Sequence, residues 1–490
     1  MRRLAFVAAM TAGAAFLAGC GSRDEGTVRL SILGDRDALG EANAGLPSPS
    51  ALLLRAATVE GLVGFDEEGR VVPALADRWI VTEDGQSYIF RLRNGTWPDG
   101  TAITGESAAA ALKRTLRTLR GTPLALDLAA IDEIRAMAGR VVEIRLTRAV
   151  PDLLDMLAQP ELGLPHKDRG AGPMQLVRQG RNVELTPIAP ELRGLPAEED
   201  WGRRVRVLRV RAEPARTAVQ RFDEGYVDVV LGGTADTLPL VKTAGLSRGT
   251  VRLDPVIGLF GFAFAGAKGF LADPLHREAL AMAIGRETLL AEFNVAGWLP
   301  TTRVVSPGVE DDPGTISERW SGLDPAARRQ IAAARVARWR AGGKPLAAVR
   351  IALPDTPGGT TIFAHLRRDL AAIGLEARRV ESGAPADLRL VDRVARYGRT
   401  AWFLNQLSCT AKAPVCSPEA DAKAAEALAA SDRATRQALL AEAEGALTAA
   451  NGFIPLARPL RWSLVRGDIA GFAANPWGFH PLLPLALAPR

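Results

Sequence analysis

Along this chain, segments that alternate apolar and polar residues and segments with apolar stripes at helical spacing keep succeeding one another, which confines it to a mixed α/β fold. The first such segment, Thr27–Leu33, alternates and is bounded by Gly34 and Asp35, so it reads as a strand. Residues 35–50 read as loop, and residues 52–62 are apolar at helical spacing. Phe65-Asp66-Glu67-Glu68-Gly69 then supplies turn chemistry ahead of Val71-Val72-Pro73. Residues 79–92 alternate around Glu83-Asp84-Gly85, a hairpin signal that opens a small β-rich region. Thr104 is placed to cap a helix whose Ala108, Leu112, Leu116 and Leu119 share one face, leaving Lys113, Arg114 and Arg117 outside. Residues 141–146 and 205–210 read as strands, and residues 218–222 as a short helix before Tyr226-Val227-Asp228-Val229-Val230. Asp273-Pro274 marks a helix start leading into Ala279, Met282, Ala283 and Leu290. Ile362, Leu366, Leu370 and Ile373 form another stripe, which Gly374 terminates. Ser417-Pro418 opens an alanine-rich helical stretch reaching Leu447, with a break expected near Ser431.

At 490 residues, 47% hydrophobic and 24% charged, the chain has globular composition and is too long for one core, so two to four domains or one large two-lobed body are expected. With no internal repeat or long low-complexity linker, the lobes should be joined by several chain crossings. The net charge of +6 is mild. Arg203, Arg204, Arg206, Arg209 and Arg211 cluster, and their alternation is that of a solvated strand face. No aromatic interleaving or recognition motif accompanies them, so no nucleic-acid partner is expected.

Arg2 and Arg3 precede an apolar run, residues 4–17, broken only by Thr11 and Gly13 and too short to span a bilayer, the pattern of a secretion signal. The run ends in Leu17-Ala18-Gly19-Cys20, which resembles the lipobox of bacterial lipoproteins. That resemblance implies a signal peptide over residues 1–19, lipid attachment at Cys20 and a tether over residues 20–26. The location implied is the bacterial cell envelope, on the periplasmic side of a membrane; Gly21 leaves the choice of inner or outer membrane open. Export would place Cys409 and Cys416 in an oxidising compartment, where a disulfide between them is expected. Neither C-x-x-C nor H-x-x-x-H spacing occurs near them, so neither a metal site nor a cofactor is expected.

Two blocks carry a wider resemblance. The first runs through Glu60-Gly61-Leu62-Val63, Val72-Pro73-Ala74-Leu75-Ala76-Asp77-Arg78-Trp79, Asp84-Gly85, Phe90-Arg91-Leu92-Arg93-Asn94-Gly95 and Trp97-Pro98-Asp99-Gly100-Thr101. The second runs from Leu271-Ala272-Asp273-Pro274 through Ala283-Ile284-Gly285-Arg286-Glu287. Together they resemble the extracellular solute-binding proteins that serve ATP-driven peptide and nickel importers. Read physically, these residues are scaffold: Gly85, Gly95 and Gly100 are expected at positive φ in turns, with Trp79 and Phe90 as core anchors.

The resemblance implies a two-lobed periplasmic-binding-protein-like α/β fold with an extra small β-rich domain. It divides the chain into a first lobe over residues 27–47, 164–246 and 462–490, a small ligand-remote domain over 48–163, and a second lobe over 247–461. It implies a monomer without catalytic activity that captures a small solute, a peptide foremost, between its lobes and hands it to an inner-membrane ABC permease. Peptide binders of this kind place an acid against the ligand's amino group in a stretch corresponding to residues 387–408. Here that stretch holds Arg389, Arg393, Arg396 and Arg399 with Asp392 the one interior carboxylate, followed by Trp402, Phe403 and Asn405. Asp392, Arg396, Trp402, Phe403 and Asn405 are therefore the candidate ligand residues, the aromatic pair as a cleft floor. The same departure, with Gly21, motivates an alternative, an envelope scaffold or sensor lipoprotein using the same fold.

Two motifs read as decoys. Gly245-Leu246-Ser247-Arg248-Gly249 matches the hydrolase elbow G-x-S-x-G but runs into a strand-like Thr250-Val251-Arg252-Leu253 rather than a helix. Asn94-Gly95-Thr96 matches a glycosylation sequon inside an expected hairpin. His166, His276, His365 and His480 are isolated in sequence and read as surface or packing residues.

Overall fold

The computed structural model describes residues 26–35, 39, 48–241, 249–430 and 432–489. Cys20, most of the tether, Ser247 and the expected break at Ser431 lie outside the described residues. No helix among those described is long and apolar enough to cross a membrane.

Strand β1 (Thr27–Leu33) buries Val28, Leu30 and Ile32, the alternate positions its sequence marks as apolar. The helix Pro49–Thr58, capped by Ser48, packs Ala51, Leu54 and Ala57 into the same core. The chain next builds a small hairpin, β2 (Val63–Phe65) with β3 (Val71–Pro73), closed by Asp66, whose carboxylate accepts from the backbone of Glu68 and Arg70. Strands β4 (Ala76–Val81), β5 (Ser87–Leu92), β6 (Ile131–Met137) and β7 (Val141–Leu146) form an antiparallel sheet in the order β4-β5-β7-β6. The helix Gly105–Thr118 covers it, with Thr104 and Ser107 closing a reciprocal cap. Phe90 is fully buried, whereas Trp79 is only half-buried. Gly85 and Gly100 have positive φ as expected; Gly95 does not, and the turn that follows it is closed by Gly100, whose N–H donates to the Trp97 carbonyl.

The chain then returns to the first sheet through β8 (Met174–Gln179), β9 (Asn182–Pro187), β10 (Val207–Glu213), β11 (Val229–Thr234) and β12 (Val251–Asp254). Strands β10 and β11 flank β1 in parallel. The arginine run is not one strand face: Arg203 and Arg204 lie in a helical turn, Trp201–Arg204, and β10 starts only where Val207 pairs with Thr27.

From β12 the chain crosses into a second sheet made of β13 (Gly258–Phe264), β14 (Val349–Ala352), β15 (Ala377–Val380), β16 (Leu388–Val394) and β17 (Phe453–Ala457), in the order β15-β14-β16-β13-β17. It returns by β18 (Arg461–Val465), which inserts between β12 and β11 and completes the seven-stranded order β12-β18-β11-β1-β10-β9-β8. The helices Pro274–Ala283 and Pro357–Ala372 flank the second sheet, the latter burying Ile362, Leu366 and Leu370. The helices Pro418–Ala429 and Arg433–Ala450 instead share a core with the four-stranded sheet. Two lobes with parallel centres are thus joined by two short crossings, residues 255–257 and 458–460, and a small β-rich body sits beside them.

Candidate functional site

The strand directions place a cleft between the lobes. In the first sheet, β11 ends at Thr234 opposite Arg461, the first residue after one crossing. In the second, β16 ends at Val394 opposite Gly258, the first residue after the other. The parallel strands of both lobes therefore point their C-terminal ends at the crossings and at each other, the location where open α/β sheets leave a ligand crevice. A direct contact marks the meeting: the Gly358 N–H, in the first turn of Pro357–Ala372, donates to the Asp236 carbonyl just beyond β11 at 2.8 Å. A Cβ at Gly358 would stand 2.5 Å from that oxygen, so the approach requires glycine.

Asp392 braces the crossing. Its carboxylate pairs with Arg461 at 2.7 Å, and burial raises its pKa against the opposing pull of that arginine. Trp462, the next residue, donates from its indole to the Thr234 carbonyl at 2.9 Å and lies against Gly233, where a Cβ would overlap the ring.

Beyond β16 the chain turns toward the small body. Arg396 pairs with Glu161 at 2.8 Å, and its carbonyl accepts from Gln159 at 3.2 Å. The Tyr397 hydroxyl and the Asn405 amide both donate to one oxygen of Asp127, at 2.9 and 2.8 Å. Burial pushes the Asp127 carboxyl up to about 6, although those two hydrogen bonds and the Arg396 charge oppose it. Arg399 joins Asp152 at 3.0 Å and Glu310 at 2.8 Å. The helix Thr400–Gln406 is held at its start by Asp311, which accepts from both the backbone and hydroxyl of Thr400.

Of the residues singled out in sequence, Arg396 and Asn405 come together around the Asp127 seam, and Asp392 stands apart at the crossing. Trp402 and Phe403 pack edge to face with 5.0 Å between ring centroids and are fully buried. They form no floor open to solvent in this arrangement, because residues 400–406 are helical and turn both rings into the core shared with the small body. The arginines of this stretch are largely spent on partners within the chain: Arg389 on the carbonyls of Ser382 and Ala384, Arg396 and Arg399 on carboxylates. Arg393 differs. Arg393 is exposed, and its Nη1 donates to the Gln406 amide oxygen at 3.0 Å. Sequence reasoning passed over Asp127, Gln406 and Arg393 as site residues; alternation along β16 sets Arg393 on the face opposite Asp392, and that signal was available.

Cys409 and Cys416 are joined by a disulfide. The four histidines are tied into packing and local polar bonds: His166 stacks on Trp97 and meets Asp99, His276 stacks on Phe270, His365 meets Glu292, and His480 meets Asp254.

Residues 70–392 match the family of bacterial extracellular solute-binding proteins, family 5 Middle. The chain is 28% identical over 281 residues to the probable deoxycholate-binding periplasmic protein YgiS of Escherichia coli K12, covering 51% of this chain and 52% of that protein. Here the chain spans about half the relative's length. It is 23% identical over 472 residues to the periplasmic oligopeptide-binding protein OppA of the same organism, covering 85% of this chain and 84% of that one. Among solved structures it matches the Escherichia coli murein tripeptide binding protein MppA with a TM-score of 0.81 at 18% identity, covering 95% of this chain and 99% of the other. Against the unliganded open form of MppA the TM-score is 0.63 at 17% identity, over 95% and 98% of the two chains.

Proposed function

The chain belongs to the bacterial extracellular solute-binding proteins of family 5, and from that premise we propose that it captures a small solute, a peptide foremost, and delivers it to an inner-membrane ABC importer. The observation that carries this reading is the pair of short crossings between two sheets whose strand ends face one another, a layout that lets two cleft walls close on a ligand. Such a protein works by population shift: a ligand that touches both walls favours the closed state by its differential affinity, and no group needs to react. The better superposition on one MppA structure than on its unliganded open form supports reading the present arrangement as closed.

In this reading Cys20 carries lipid and tethers the chain to a membrane on the periplasmic side, where it acts as a monomer. Residues 27–47, 164–246 and 462–490 form the first lobe, 48–163 the small domain and 247–461 the second lobe. Two of these boundaries shift: β12 (Val251–Asp254) pairs in the first sheet although it falls within 247–461, and the helix Pro49–Thr58 packs into the first-lobe core although it falls within 48–163. Arg396 and Asn405 frame the second-lobe wall, Asp392 braces the hinge, and Trp402 and Phe403 support the wall from behind.

A thermal-shift screen of the chain lacking residues 1–20, against peptides, metal chelates, sugars and small anions, tests this. A saturating ligand should raise the melting temperature by mass action. Silence across the panel from folded protein would instead favour the envelope scaffold or sensor.

A further inference from the structure

The small body is built onto the first lobe and only leans on the second. Its chain leaves the first lobe and returns to it, and the junction is made with backbone. The Leu164 N–H donates to the Glu60 carbonyl at 2.9 Å, and Gly194 lies so close to the Asn94 carbonyl that a Cβ there would overlap it. The Glu60 carboxylate pairs with Arg93 at 2.9 Å and also with Arg193, where all three side chains are largely buried. The Arg93 Nε donates to the Arg193 carbonyl at 2.7 Å, and the Trp477 indole to the Gly69 carbonyl at 2.9 Å.

Toward the second lobe the junction is of another kind. Apolar side chains share a core there, but among the described residues no backbone–backbone hydrogen bond runs between the two bodies. The polar contacts come from side chains: Arg396 to Glu161, Arg399 to Asp152, and Tyr397 and Asn405 to Asp127. The seam is also imperfect. Asp127 takes both donors on one oxygen and leaves its Oδ2 buried without a partner, and the Arg396 Nε is likewise unsatisfied. Such groups regain water when an interface parts, which lowers the cost of parting it. A second lobe that swings about the crossings 255–257 and 458–460 carries Arg396, Tyr397 and Arg399 with it, while the small body stays with the first lobe.

Resting on the capture reading, we propose that this seam is a second closing surface. Its contacts form as the cleft shuts and part as it opens, so Asp127, Asp152 and Glu161 set how tightly a solute is held without touching it. A contact made only in the closed state shifts the open–closed balance and thereby the apparent affinity.

The test uses the chain lacking residues 1–20 and carrying Asp127→Cys, because the hydrogen bonds of the Asp127 side chain cross the seam. Labelling of that thiol by a maleimide is timed without solute and compared with the global unfolding rate of the same variant. Labelling should run well ahead of unfolding and depend only weakly on urea, the signature of a local opening. Gly358→Val, which obstructs full closure, should speed it. Arg399→Gln should speed it by about 10- to 100-fold, the range for a hydrogen bond to a charged group. A mixed tripeptide pool should slow it, with more of the pool needed for half-protection in Arg399→Gln. Tyr397→Cys reports from the opposite side of the seam if Asp127→Cys does not fold. Labelling that waits for global unfolding, or that ignores Gly358→Val, overturns the closing surface and leaves capture standing. Rapid labelling that the pool does not slow supports the opening of the seam and overturns the peptide reading.

Discussion

Arg303 donates to Asp312 and Glu444 in a place where all three side chains are almost entirely buried. A buried charge left alone is far costlier than a buried pair is valuable, so the effect of a substitution depends on which partner is stranded. Arg303→Met strands two carboxylates and is expected to cost about 3–5 kcal/mol in urea unfolding. Asp127 sets a different problem. Its carboxyl titrates at about 6 because burial penalises the charge, so the folded state holds the proton more tightly than the unfolded chain does. Stability from this group is therefore gained as pH falls through about 6 toward the unfolded value, and the penalty is fully felt above 6. Asp127→Asn keeps an oxygen for Tyr397 and Asn405 while removing the titration. It should melt higher than the wild type at neutral pH and show a flatter melting profile between pH 4 and 7; an unaltered profile would contradict the assignment. None of these groupings was legible in the sequence, since Asn405 and Asp127 stand 278 positions apart and local patterns carry no such pairing.

At the scale of elements the sequence was far more readable, because periodicity and capping are local. The strands Thr27–Leu33 and Val141–Leu146 occupy the residues their alternation marks, and Asp273 and Ser417 cap the helices they precede. The misplacements have tertiary causes. The apolar stretch over 52–62 is helical only to Thr58: Val59 takes an extended backbone, and Gly61 lies against the Leu157 and Leu162 carbonyls, which a Cβ there would meet at 3.2 and 3.4 Å. The strand expected over 205–210 begins two residues later because the Arg206 N–H is claimed by the Ala486 carbonyl. Thr104→Ala, which removes one half of the reciprocal cap on Gly105–Thr118, should cost about 1 kcal/mol by chemical unfolding. Replacing Cys409 and Cys416 together by serine should cost at most about 2.5 kcal/mol, the chain-entropy value for so short a loop.

For the whole molecule, the family blocks pointed to two lobes with capture between them and a small β-rich body, whereas which strand ends face the crossings follows only from strand direction and register. In sequence, Trp402 and Phe403, which follow the arginines of residues 387–408, read as a cleft floor. In three dimensions the helix Thr400–Gln406 turns the aromatic rings inward, and Arg396 and Arg399 find carboxylates from distant segments. A direct contact between the lobes falls on Gly358, so Gly358→Val should leave each lobe folded while preventing full closure. The variant should show a larger radius of gyration than the wild type and weaker solute binding.

Capture by closure is the claim on which the rest depends, and small-angle X-ray scattering addresses it most directly. Curves would be recorded for the chain lacking residues 1–20, alone and saturated with the solute that gives the largest thermal shift. A fall in the radius of gyration on saturation, absent in Gly358→Val, is the predicted result. Superimposable curves with and without bound solute would contradict a cleft that closes on its ligand.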